Sequence, residues 1–392
     1  MQVNAWWNLT DFQPRSWLRE CQLAVKKHLL HWLRRRMPGG HFALADLPEL
    51  RRILIIRPNF RIGNVLISAR IIPALHRKYP AAQIDILTGA PTMPLLQHMD
   101  LTHIEGLSRA HGYRWISLGR LLLKLRRTRY DAVVDPGSGS FSSAILAWIT
   151  SAPYRIGMDI GNEDALLNVR LPCGERRRPY DRIQALAAHF DPATPARPYY
   201  RVHPNEASEA HAWLQQGLSR EDPATPFIAL FVGGRRNKRL PATYWASYVT
   251  HLSGGGVPIL LFSGPEERSL VSKLTALQLP NLTIAPPQSI RHVAAYCQQA
   301  LLVVSPDTGT MHLAAAVGTP VIALLNRDRS LRFAPNGLHD CAWVKPDPRQ
   351  AAADTLRQYH SLQHALAVSI RTASHDDDSP VWHERDPVSI AS

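Results

Sequence analysis

The densest chemistry in the chain lies in one run, Val303-Val304-Ser305-Pro306-Asp307-Thr308-Gly309-Thr310-Met311-His312. It continues as Leu313-Ala314-Ala315-Ala316-Val317-Gly318-Thr319-Pro320. A short apolar strand ends, a turn follows, and a helix begins at Asp-Thr-Gly. Asp307 or Thr308 is placed to cap that helix through a side-chain oxygen. Gly309 would let a ligand approach the backbone. The first N–H groups of the helix and the positive end of its dipole then face a cleft, an arrangement suited to an anion such as a diphosphate. The site would also lie at the carboxyl end of a parallel strand, where open α/β sheets bind ligands. Taken alone, Asp-Thr-Gly supports only an ordinary capped helix, and His312 alone reads equally as a satisfied core histidine.

Positioning this run takes a regular scaffold, and the chain alternates strand and helix patterns on both sides of residue 200. Ile53-Leu54-Ile55-Ile56 is a continuous apolar run of the kind found in buried parallel strands. A helical pattern over 64–78, a strand over 83–87, a helix near 115–127, the strand Ala132-Val133-Val134, a helix over 141–150 and the strand Tyr154-Arg155-Ile156-Gly157 follow. The Pro-rich passage from Asp191 to Pro204 has little periodicity and reads as a linker. Beyond it come strands at 227–231, 258–262, 281–284, 301–304 and 320–324, with helices at 242–252, 265–277, 288–299 and 309–317. Two such βαβ series predict two doubly wound domains facing a cleft. The expected boundaries are 51–200 and 201–373, after an extension over 1–50 and before a disordered tail over 374–392. Gly254-Gly255-Gly256 follows a helix and precedes a strand, the wrong order for a nucleotide loop.

Composition agrees with a large folded chain. The 392 residues are 45% apolar and 19% charged, enough for an extensive core. Lys and Arg number 45 against 31 Asp and Glu, a net charge of 45 − 31 = +14, so anionic partners are expected. Cys21, Cys173, Cys297 and Cys341 are far apart; a zinc ribbon or a disulfide scaffold is not expected, and reduced thiols suit a cytoplasmic setting. No apolar run reaches the roughly 18 residues of a membrane span, and the N-terminal stretch lacks a signal-peptide core. Over 17–37, Leu18, Cys21, Val25, Leu29 and Trp32 recur at helical steps, with Lys26, Lys27, Arg34, Arg35 and Arg36 on the remaining circumference. That pattern suits a helix lying on an anionic leaflet through residues 16–37, or a helix packed on the protein with a solvated basic face. Nothing aromatic is regularly interleaved with the bases, so nucleic acid is not an expected partner.

The run from Asp307 to Pro320 resembles the C-terminal signature of glycosyltransferase family nine, the bacterial heptosyltransferases of lipopolysaccharide core synthesis. The family pattern D-T-G-x-x-H-L-A-x-A-x-G-x-P is filled at every fixed position. Arg61-Ile62-Gly63, Pro73-Ala74-Leu75 and Tyr79-Pro80 resemble the family's opening. Asp131 to Asp135 and Arg155-Ile156-Gly157 resemble its next blocks. Lys238 and Pro241 resemble its K-x-W-P block, and Gly264 to Arg268 its Glu-Arg segment. The similarity covers about residues 51–345. It implies a GT-B architecture of two Rossmann-like domains, with the acceptor bound by the first and a nucleotide sugar, typically ADP-heptose, by the second. It also implies an inverting displacement onto a lipopolysaccharide-core or lipid-linked acceptor without metal or other cofactor, peripheral to the inner face of the bacterial inner membrane. Without a metal, fixed positive groups must stabilise the leaving diphosphate. Lys238 and the helix start at Thr308-Gly309-Thr310 are the candidates, with Asp307 and His312 completing the donor site and Glu267, or Glu266, accepting ribose hydroxyls. Lys238 also reads as a solvated lysine beside Arg235, Arg236 and Arg239, and Glu267 as an exposed acid in a first helical turn.

The sequence departs from the family at three places. Where the family carries the aspartate that acts as base, this chain has Asn64, and an amide has no useful basicity. Asn64 could instead cap a helix or orient a hydroxyl. After Asp135 the stretch Pro136-Gly137-Ser138-Gly139-Ser140 lacks the family's usual cation, and Leu240 replaces the tryptophan of K-x-W-P. Three outcomes remain open: Asp135 as an alternative base, a slow transferase without one, or a catalytically silent nucleotide-sugar-binding or assembly protein.

Overall fold

The computed structural model describes residues 28–29, 31–33, 35–36, 40–108, 115–137, 140–160, 166–175, 178–194, 199–218, 222, 224–234 and 238–373. The expectation of disorder over 374–392 falls outside them.

The first half builds a six-stranded sheet from β1 (Arg52–Arg57), β2 (Gln83–Gly89), β3 (His103–Leu107), β4 (Ala132–Asp135), β5 (Tyr154–Asp159) and β6 (Val169–Pro172), all parallel, in the order β3-β2-β1-β4-β5-β6. Its helices are α1 (Ile62–Ala69), α2 (Ile71–Lys78), α3 (Trp115–Arg127), α4 (Phe141–Thr150) and α5 (Pro179–Phe190). Along β1, Ile53 and Ile55 pack with α1, α2 and α5, whereas Leu54 and Ile56 pack with α3 and α4. This is the strand period of two, and because helices cover both faces every one of these residues is apolar.

Helix α6 (Pro204–Gly217) leads into the second half. There β7 (Ile228–Phe231), β8 (Ile259–Phe262), β9 (Leu282–Ile284), β10 (Leu302–Pro306), β11 (Val321–Leu325) and β12 (Cys341–Val344) form a second parallel sheet, ordered β12-β11-β10-β7-β8-β9. Around it lie α7 (Ala242–Ser253), α8 (Arg268–Thr275), α9 (Ile290–Gln299), α10 (Gly309–Ala316) and α11 (Pro348–Ala373). Trp245 and Tyr248 of α7 and Tyr359 of α11 fill one face, and α9 and α10 cover the other. One apolar cluster is continuous from β1 through α1 to α10 and the second sheet, so the halves share a core.

Several elements differ from the sequence expectation. The helix expected over 64–78 is two helices broken at Arg70. Pro73 offers no N–H and its ring clashes with the carbonyl four residues earlier, that of Ala69, where α1 ends. Helices α5 and α6 are not among the expected elements; Pro204 ends the passage read as a linker, and both Pro179 and Pro204 occupy the first helical position, where the missing N–H costs nothing. The edge strands β3 and β6 have no continuous apolar run to mark them, and the run Cys341-Ala342-Trp343-Val344 of β12 is not among the expected strands.

Of the N-terminal helix expected over 17–37, residues 17–27 lie outside the described residues, and the described part of 28–36 is helical. Leu33 is 2% exposed and packs with Leu29 against α4 through Ala144, Phe141, Ile145 and Trp148, with Leu166 alongside. Trp32 is 42% exposed, with the Arg36 guanidinium 4.2 Å above its ring. The helix therefore packs on the protein through one edge and shows another to solvent. Leu33→Ala is expected to lower the calorimetric melting temperature, by the equivalent of about 2 kcal/mol for a truncated core leucine, whereas Trp32→Ala, which loses a tilted ring contact with Trp148 on a half-exposed side chain, should lower it less.

Candidate active site

Both sheets reverse their strand order at one point, between β1 and β4 in the first and between β7 and β10 in the second. A crevice opens at the carboxyl ends of strands at such a point. The sequence candidates gather at these two places. Asn64 follows β1 and Asp135 ends β4; Lys238 follows β7, and Asp307 to His312 follow β10.

At the second crevice Lys238 Nζ lies 2.7 Å from Asp307 Oδ2. Asp307 is buried and also accepts the Ser330 hydroxyl. It therefore does not cap α10, and neither does Thr308, the residue at the N-cap position. Thr308 Oγ1 instead hydrogen-bonds Thr310 Oγ1 at 2.7 Å, and both reach Ser305 Oγ at 3.1 Å. This corrects the capping expected from the sequence. The consequence is a helix start without a side-chain cap, next to a lysine and a cluster of three hydroxyls. Such a start presents N–H donors and a positive dipole end to an anion.

Gly309 is also used differently than expected. A Cβ there would fall 2.9 Å from Ile62 Cβ of α1, so the glycine admits the opposite helix. The reciprocal contact is tighter. A Cβ at Gly63 would fall 2.1 Å from His312 Cδ2. His312 Nδ1 shares a 2.7 Å hydrogen bond with the Tyr180 hydroxyl of α5, and the two rings stack. His312 is thus enclosed by residues of both halves. Burial holds its pKa down to about 4; Asp307 opposes the shift and Lys238 adds to it. Tyr180 is not among the sequence candidates, since α5 is not among the expected elements.

Glu267 accepts the Gly264 N–H at 3.1 Å and is paired with Arg239 at 3.1 Å. It is buried rather than exposed, at the carboxyl edge of β8 and close to Gly233. Glu266 is exposed and pairs with the same arginine. Leu240 joins the apolar cluster of α7.

In the first crevice Asn64 is the third residue of α1, not its cap, which is Arg61. It lines a cavity of about 170 Å3 together with Arg57, Pro136, Gly137, Arg182 and, from the second half, Phe333. Asp135 is buried, and its Oδ1 accepts the Gly137 N–H at 2.8 Å. Burial pushes the Arg57 pKa down, Asp135 opposing and Arg182 adding. The stretch after Asp135 carries no cation among the described residues, but β1 and α5 bring two to the same place. Among the described residues no three His, Cys, Asp or Glu are grouped closely enough to hold a metal ion.

The sequence pattern of Glycosyltransferase family 9 (heptosyltransferase) matches residues 118–359, more than half of the chain. The chain belongs to glycosyltransferase family 9. It is 27% identical over 296 residues to lipopolysaccharide heptosyltransferase 2 of Escherichia coli K12, a match covering 70% of this chain and 82% of that one. It is 26% identical over 286 residues to lipooligosaccharide heptosyltransferase 2 of Haemophilus ducreyi, covering 69% and 81%. Among solved structures, the E. coli heptosyltransferase WaaC with ADP-2-deoxy-2-fluoro heptose superposes with a TM-score of 0.63 at 21% identity, over 79% of this chain and 99% of that one. A family 9 glycosyltransferase from Veillonella parvula superposes at 0.64 with 17% identity, covering 79% and 90%. The fold is GT-B, two Rossmann-like halves, and the protein is a glycosyltransferase.

The enclosed histidine gives this glycosyltransferase a specific acid sensitivity. His312 is neutral when folded, with its pKa below the usual 6.5 of the unfolded chain. The unfolded state therefore binds the extra proton first, and stability present above pH 6.5 is lost as the pH falls toward about 4. The slope can reach about 1.4 kcal/mol per pH unit. His312→Gln should flatten that slope in melts taken between pH 7 and 4.

Proposed function

We propose that this glycosyltransferase moves a heptose from a nucleotide-diphosphate donor, ADP-heptose, to a lipopolysaccharide-core or related lipid-linked acceptor with inversion at the anomeric carbon. The observation that carries this is Lys238, held by Asp307 beside the uncapped start of α10, across from the cavity at Asn64. The names of the relatives point to the same sugar and acceptor class.

In this reading the diphosphate rests on the N–H groups of Gly309 and Thr310 and on Lys238 Nζ. The cluster of Ser305, Thr308 and Thr310 keeps the turn in shape. Asp307 positions Lys238, and Glu267 closes the ribose side. The acceptor oxygen approaches from the first half, on the face of the sugar opposite the diphosphate. Its bond to the anomeric carbon forms as the bond to the diphosphate breaks, which inverts the centre. Fixed charges stabilise the departing diphosphate without reorganising. Asn64 accepts no proton; we assign the acceptor proton to Asp135, the carboxylate at the switch point of the first sheet. The exposed Trp32, Arg35 and Arg36 are the described part of a surface that would meet an anionic leaflet at the inner face of the inner membrane.

The test is transfer from ADP-heptose to a heptose-deficient core acceptor, followed by ADP release and product mass. Transfer is expected; ADP binding with no turnover on any core acceptor would contradict the reading. Lys238→Ala should weaken ADP binding by about 10- to 150-fold, the equivalent of about 1.5–3 kcal/mol for a charge-assisted contact. Unchanged ADP affinity in a folded Lys238→Ala protein would remove the lysine from the site. Asp135→Asn should slow transfer by about 100- to 10,000-fold, and Asn64→Asp should not raise it. Full activity in Asp135→Asn would move the base elsewhere.

A further inference from the structure

The cavity at the first switch point has a charge that the transfer reaction does not require. Two of its lining side chains are guanidinium groups, Arg57 from the end of β1 and Arg182 from α5, and none of its described lining residues is acidic. Arg57 Nε is buried and makes no hydrogen bond to any described residue. Gly137 leaves this guanidinium its room, since a Cβ there would fall 2.6 Å from Arg57 Nη1. Asp135 lies near Arg57 and offsets one of the two charges. With Asn64 neutral, no described residue lining the cavity offsets the other. A carboxylate at position 64 would have done so.

We propose that Arg57 and Arg182 form an anion subsite that holds a phosphate or carboxylate substituent of the acceptor sugar. This rests on the acceptor entering through the first half. A guanidinium fork matches the paired oxygens of either group, and two forks from different elements fix its position. The unpartnered Nε supplies a donor that an anionic oxygen would satisfy. Asn64 then has a physical meaning: the amide keeps the cavity cationic where an aspartate would compete with the substrate's anion for the same arginines.

The probes are glucose 6-phosphate, glucuronate and glucose, titrated calorimetrically into the full-length protein with and without saturating ADP. The two anionic sugars are expected to bind and glucose is not; their ratio tells phosphate from carboxylate. Arg182→Gln should weaken the anionic sugars about tenfold or more, and Asn64→Asp should weaken them in the same direction. Lys238→Ala should leave them unchanged. Arg57→Gln should act like Arg182→Gln, and if it fails to fold, Arg182→Gln carries the test. Equal binding of glucose, or anionic-sugar binding unaffected by Arg182→Gln while ADP still binds, would overturn the subsite. Loss of the anionic sugars in Lys238→Ala or on adding ADP would assign the binding to the donor crevice and overturn it as well. Absence of ADP binding in the unsubstituted protein would count against the donor reading alone, because the titration without ADP still decides the subsite.

Discussion

The contact between position 63 and His312 sets the geometry of this transferase. The imidazole occupies the space that any other side chain at 63 would need, and Tyr180 holds its far side through Nδ1. Three residues from α1, α5 and α10 thereby bring two helix N-termini, one from each half, into direct apposition. Each helix follows a strand beside the point where its sheet reverses order. Joining them places the two crevices face to face. Other ties hold the same arrangement: Arg178 donates to the Ala334 carbonyl, Asn336 to Asp181, and the buried Arg291 to Glu206 and to the carbonyls of Pro94 and Gln97.

Charge is distributed unevenly across that joint. In the second crevice the acid that would ordinarily cap α10 is turned away to a lysine and a serine. The helix start is left to N–H groups and hydroxyls, which suits an anion better than a capped helix would. In the first crevice the carboxylate is set back in the turn at Gly137, and two arginines face the open space. Both crevices thus present positive groups, a lysine and a helix start in one and two guanidinium groups in the other. The chain's overall +14 is consistent with this but does not locate it.

The sequence showed the alternation of elements and the family block well, for physical reasons that can be named. Buried parallel strands such as Ile53-Leu54-Ile55-Ile56 are continuous apolar runs, and the block from Asp307 to Pro320 is long enough to be specific. What it hid follows equally simple rules. Proline at a first helical position looks the same as proline in a loop, as at Pro204 of α6; α5 also went unseen, and with it Tyr180 and Arg182. Cap assignments from residue type failed at Asp307, whose carboxylate is taken by Lys238 and Ser330, and at Asn64, which sits at the third position of α1 rather than before it. Arg57 ends a strand that was recognised, but its place beside Asp135 depends on β1 and β4 being neighbours, a pairing across about 80 residues that no local pattern contains.

The central claim is that the donor diphosphate lies where Lys238 meets the start of α10. A crystal structure of the protein with ADP tests it most directly. The account predicts phosphate oxygens within hydrogen-bond distance of Lys238 Nζ and of the Gly309 and Thr310 backbone nitrogens, with Asp307 still on the lysine. ADP bound with its phosphates away from Lys238 and α10, against Arg57 and Arg182 for instance, would contradict it.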